Sequence, residues 1–183
     1  MKFARICIVL AAAVATGTTL AATTLPDSYS MQNGTSGSYQ YWDQSYNGKG
    51  CTTCNYAQLS GGRGDLTDGI IATTNALAAE APAGNGPYVG WALDPTITFH
   101  WNKPVSIGSV TFYLDDSNGA GFVSAPKSVT VKGAVYNIAE PAGSAPFAFT
   151  ATGVNFTGTD LTVSLQRKNS WVFLSEVQFQ TIP

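Results

Sequence analysis

The chain has 183 residues, of which 11% are charged and 44% apolar, with nine basic and eleven acidic side chains and a net charge of −2. No basic cluster exceeds the Arg167-Lys168 pair, so the concentrated positive face that phosphate binding needs is missing and nucleic acid is excluded as a partner. Beyond the first 22 residues nothing approaches the roughly 20 consecutive apolar residues of a spanning helix, so no transmembrane anchor is expected in the mature chain.

At the start, Lys2 and Arg5 precede "ICIVLAAAVA" and the small residues of "TTLAA", the three-part pattern of a secretory signal peptide. Cleavage after Ala21 or Ala22 is expected, which sends the protein to the periplasm or the medium. Losing Lys2 and Arg5 leaves seven basic against eleven acidic side chains, a net charge of about −4. The remaining residues 23–183 are expected to form a single domain, long enough to bury a core without obligatory metal or disulfide staples.

Residues 23–59 are rich in Ser, Gly, Asn, Thr and Tyr and show no apolar period, which predicts loop or irregular strand. Tyr39, Tyr41, Trp42 and Tyr46 supply enough ring area to lie over a sheet rather than remain disordered. Cys51 and Cys54, in "CTTC", are the cysteines that survive export. A redox pair wants a βαβ context and zinc wants four ligands, so a local disulfide is expected.

"GRGDLTDGIIATT", residues 62–74, reads as a turn rich in acid and glycine, and "TTNALAAEA" as one or two turns of helix. The "RGD" tripeptide at Arg63 invites an integrin reading, although a glycine-rich turn accounts for it. From residue 89 the apolar period becomes two. "TITFHW" alternates Ile97, Phe99 and Trp101 against polar neighbours, and "VSIGSVTFYL" alternates Val105 and Ile107, then Val110, Phe112 and Leu114. The change of phase predicts a bulge at Gly108. "KSVTVKG", "PFAFT", "LTVSL" and "WVFLSEVQF" continue the pattern between turn signals. In the last, Trp171, Phe173, Val177 and Phe179 are expected on one face, with Glu176 on the other. Seven or eight such strands predict an all-β antiparallel sandwich.

"GDLTDGI", "YVGW", "ITFHWNKPVSIGSVTFYLDDSNGAGFVSAPKSVTV" and "WVFLSEVQF", in this order, resemble the discoidin or coagulation factor type C family over roughly residues 60 to 181. The resemblance implies the galactose-binding-domain-like jelly-roll β-sandwich shared with bacterial carbohydrate-binding modules. It also implies a structural calcium ion at the Asp-Gly turn, held by the side chains of Asp68, Thr73 and Glu176 with backbone oxygens of Asp65, Ile70 and Ser175. Such hard oxygen donors suit calcium on chemical grounds. An ordinary turn with Glu176 paired to a lysine remains the alternative.

Sugar recognition needs an aromatic face for the C–H surface of the ring and polar groups that catch adjacent hydroxyls. The loop candidates are Asp115, Asp116, Asn118 and Phe122, then Arg167, Lys168 and Asn169, with Tyr41 and Trp42 from the front segment. The partner expected is a glycan or cell-surface polysaccharide, with an adhesive protein binding matrix proteins as the alternative. Catalysis is not expected. His100, the sole histidine, sits between Phe99 and Trp101, and no nucleophile elbow or metal-binding His pair is present.

Overall fold

A computed structural model describes residues 21–81 and 83–182. The expected signal peptide lies outside the described residues except for its last two positions. Among the described residues nine strands run in chain order: β1 (Thr23–Thr24), β2 (Ser28–Gln32), β3 (Gln58–Gly62), β4 (Val89–Trp91), β5 (Thr96–Leu114), β6 (Ser128–Val131), β7 (Ala134–Asn137), β8 (Phe147–Gln166) and β9 (Val172–Thr181). A five-residue helix, α1 (Ala76–Glu80), precedes β4, and its N-cap Asn75 accepts from the Ala78 N–H at 3.1 Å.

Every strand pairing is antiparallel, and the central path runs β1-β9-β5-β8-β6-β7, with β2 also on β5, β3 on β2 and β4 on β9. Two long bent strands turn this one sheet into two layers. The first half of β5 pairs with β2 and the end of β8, whereas its second half pairs with β9 and the start of β8. Between them the β5–β8 register slips after His100, and it slips again between Ile107 and Ser109, at Gly108 as the sequence predicts. The layers close face to face. Phe99, from the first half of β5, meets Phe179 of β9 with ring centroids 4.8 Å apart, and Trp101 meets the same ring at 5.0 Å.

The alternation on β5 holds as read: Ile97, Phe99, Trp101, Ile107, Val110, Phe112 and Leu114 are all buried in one core. Three expectations are corrected. "TITFHW" and "VSIGSVTFYL" are one strand, and "PFAFT" and "LTVSL" are both parts of β8, because a bend does not interrupt pairing. Residues 23–59 are not merely irregular, since β2 alternates buried Tyr29 and Met31 and pairs on both sides. The last strand does not keep one phase. Leu114 pairs with Leu174 but Tyr113 pairs with Glu176, so Ser175 is an extra residue in β9.

Consequently Val172, Leu174, Val177 and Phe179 face the main core, while Phe173 joins a second cluster with Tyr41, Tyr88, Ala76 and Val123, against which Trp171 packs. Tyr41 and Phe173 meet edge to face with centroids 4.8 Å apart, and Trp171 stacks on Phe173 at 5.7 Å. Gly90 of β4 lets the Phe173 ring this close, because a Cβ there would lie 2.2 Å from the ring.

Candidate functional site

The acidic bend packs against the middle of β9. Gly69, at a φ of 85° that favours glycine, donates its N–H to Glu176 Oε2 at 3.2 Å. Ala72 N–H donates to Ser175 Oγ at 3.3 Å, and Ile70 N–H donates to Asp68 Oδ1 at 2.8 Å. The bend therefore covers Glu176, which is 2% exposed. Burial pushes the Glu176 carboxyl up to about 7; the Gly69 N–H opposes this shift and the Asp68 charge adds to it. Asp68 is also pushed up by burial.

The turn that carries Asp68 thus packs against Glu176 through Gly69, while Thr73 and Ile70 stay exposed. No group of three or more His, Cys, Asp or Glu side chains that could hold a metal occurs among the described residues. The donors that the resemblance names, two carboxylates with a hydroxyl and backbone oxygens, would be a hard, all-oxygen set. Such a set fits calcium and is unsuited to zinc.

Behind the bend lies an acid pair only half of which the sequence reading names. Asp43, fully buried, accepts from Tyr29 Oη and from the Asp65 N–H at 3.0 Å, and burial pushes it up to about 6. Asp65 accepts from Ser45 Oγ, and burial together with the Asp43 charge pushes it up to about 7. With its carboxylate turned inward and only 8% exposed, Asp65 does not present the "RGD" tripeptide to a receptor.

The loop candidates divide into supports and exposed groups. Tyr41, 3% exposed, belongs to the second cluster rather than to a binding face. Trp42 is half-buried and donates Nε1–H to Asn55 Oδ1 at 2.7 Å. Asp115 and Asp116 lie fully buried beneath their loop. Asp115 Oδ2 accepts from Ala76 N–H at 3.1 Å and Ser117 Oγ at 2.9 Å, Asp116 Oδ1 accepts from Ala125 N–H at 3.0 Å, and burial pushes Asp115 up. Arg167 ties two connections together: its N–H and Nε–H donate to Asp94 Oδ1 at 3.0 and 2.9 Å, and Nη1 donates to Ala92 O and to Ser170 O. Lys168 pairs with Glu140 at 2.6 Å, and Asn169 Oδ1 accepts from Ser170 N–H at 2.9 Å.

What those supports hold outward is Phe122. Its ring is 66% exposed and its backbone sits at a φ of 63°, beside Asn118 at 47° in the same loop. The Trp171 N–H donates to Phe122 O at 3.1 Å, which seats the loop on the aromatic cluster. Trp171, half-buried, is the rim aromatic that the sequence reading assigned to a strand face; an extra residue in β9 carries no glycine or proline to announce it.

The chain matches no family model and no curated protein. Among solved structures it is similar to SpGH29 at 12% identity and a TM-score of 0.40, covering 65% of this chain and 24% of that one. It is similar to reduced XRCC1 bound to the DNA polymerase β catalytic domain at 13% identity and 0.35, covering 49% and 74%. It is also similar to the family 32 carbohydrate-binding module of C. perfringens NanJ in complex with galactose, at 11% identity and 0.35, covering 60% and 89%. The site is therefore read from this chain's own residues.

Proposed function

We propose that this chain is an exported, non-catalytic carbohydrate-binding module whose ligand rests on Phe122. The observation that carries the reading is the placement of that ring. A bulky residue in the left-handed region is a backbone outlier, and one that is also largely exposed recovers little of the cost through packing. Strain of this kind is retained where it aims a side chain, and an upright phenyl on a firmly seated loop suits the C–H face of a pyranose. Asn118 and Asn169, both exposed, supply amide donors and acceptors for its hydroxyls.

In this reading Asp115, Asp116 and Arg167 position the loops and do not touch the sugar. Asp68, Thr73 and Glu176, with backbone oxygens of Asp65, Ile70 and Ser175, would hold a calcium ion that fastens the bend to β9. Calcium supplies positive charge there and no chemistry. The Cys51–Cys54 disulfide supports an oxidising compartment, in keeping with export. Affinity electrophoresis through gels containing polysaccharides tests the function. Retention by at least one glycan that Phe122→Ala abolishes supports it, and no retention across a broad glycan panel overturns it.

A further inference from the structure

Beside the acidic bend is an open hollow of about 390 Å³, which falls within the size range of small-molecule sites. Its lining includes Leu25, Ser45, Asn47, Arg63, Thr67 and Asp68, none of which belongs to the Phe122 rim. The walls are fixed by their own hydrogen bonds. Arg63 N–H donates to Asn47 Oδ1 and Asn47 N–H to Arg63 O, both at 2.9 Å, while Ser45 Oγ is held by Asp65.

One charged group in this hollow lacks a partner. Arg63 is exposed and takes part in none of the ion pairs among the described residues, which join His100 to Asp160, Arg167 to Asp94 and Lys168 to Glu140. A free guanidinium fork matches a planar carboxylate through two parallel hydrogen bonds. Leu25, 52% exposed at the edge, offers an apolar surface.

We propose that this hollow is a second saccharide site, selective for a carboxylated pyranose such as a uronic acid residue. Arg63 takes the carboxylate, Asn47 Nδ2 takes a ring hydroxyl, and Leu25 covers the C–H face. Asp68, assigned above to the cation, also lines the hollow. The site is independent of the Phe122 rim, so the two stand or fall separately.

The experiment is calorimetric titration of the full chain with methyl glucuronide, and with methyl glucoside as the neutral control, in buffer containing calcium. Binding of the glucuronide and not the glucoside is expected. Arg63→Gln should weaken it by about tenfold or more, Arg63→Lys by less, and Phe122→Ala not at all. Melting temperatures of the variants within a degree of the wild type exclude a folding defect. Absence of glucuronide binding, unchanged binding in R63Q, or its loss in F122A would each overturn the proposal. The last result would move the acidic ligand to the rim and leave the Phe122 reading standing.

Discussion

Gly69 N–H donates to the Glu176 carboxylate across 107 positions of chain, joining the acidic bend to the penultimate stretch of the last strand. The bond leaves Glu176 covered, and a bound calcium ion of the kind proposed would offset the cost of burying its charge. At calcium about a hundredfold above its dissociation constant the gain would be roughly 2.7 kcal/mol, or about 5–10 °C in melting temperature for a domain of this size. Glu176→Gln keeps an acceptor for Gly69 and removes the charge. Its melting temperature should respond to calcium and chelator by no more than a degree or two; a wild-type protein indifferent to both would rule out the ion.

The buried acids predict how the metal-free protein responds to pH. Asp43 at about 6, and Asp65 and Glu176 at about 7, lie above their ordinary values of 3.8, 3.8 and 4.5. The folded state therefore binds these protons more tightly than the unfolded state. Their contribution to stability is fully present below pH ~4 and is lost as pH rises through 6 to 7. In chelator, the melting temperature should fall between pH 5 and pH 8, and Asp43→Asn should flatten part of that slope. A melting temperature that rises across this interval would contradict the assignment.

Phe122 offers a separation of stability from binding. Replacing it with glycine relieves the left-handed backbone and should stabilise the fold by about 1 kcal/mol, while removing the ring abolishes glycan retention. Denaturant midpoints and affinity gels on the same sample check both halves. A destabilised F122G variant would mean that the ring packs more than its exposure indicates.

Removing the disulfide should act on stability alone. The chain-entropy model gives roughly 2 kcal/mol for so small a loop. Cys51 O also accepts from Asn33 Nδ2 at 3.2 Å, and Asn33 Oδ1 in turn holds the N–H groups of Gly34 and Asp43, each at 2.8 Å. The double Cys51→Ser, Cys54→Ser variant should therefore lose about 2 kcal/mol in urea unfolding with unchanged glycan affinity.

Arg167 separates a positioning role from a contact role. Its side chain already serves Asp94, Ala92 and Ser170, so Arg167→Ala should cost on the order of 1–2 kcal/mol of stability. It should leave the affinity for any rim-bound glycan within about twofold. A tenfold loss of affinity at unchanged stability would place the guanidinium in direct contact with the sugar.

Local pattern carried much of this architecture. The two-residue period from Thr96 onward, the glycine at the β5 bulge, the short helix within "TTNALAAEA" and the short cysteine spacing are all properties of neighbouring residues, and the structure bears each out. The expectation that Glu176 lies at the Asp68 turn came from the family resemblance and not from residue pattern. The phase of β9 was illegible because the extra residue is a serine, with no glycine or proline beside it to mark a bulge. The burial of Asp115 and Asp116 was equally hidden, since "DDSNG" has the composition of a solvated turn and their partners Ala76 and Ala125 reveal no donor by side-chain type.

The sequence by itself determined an antiparallel β protein with an acidic glycine turn and a small disulfide loop, because periodicity and turn chemistry act over a few residues. Only the tertiary structure decided which aromatic ring faces solvent, which acids are buried and which guanidinium is left free. Those outcomes depend on contacts between segments tens to more than a hundred positions apart, where burial and partner supply, rather than residue type, set what a side chain is available to do.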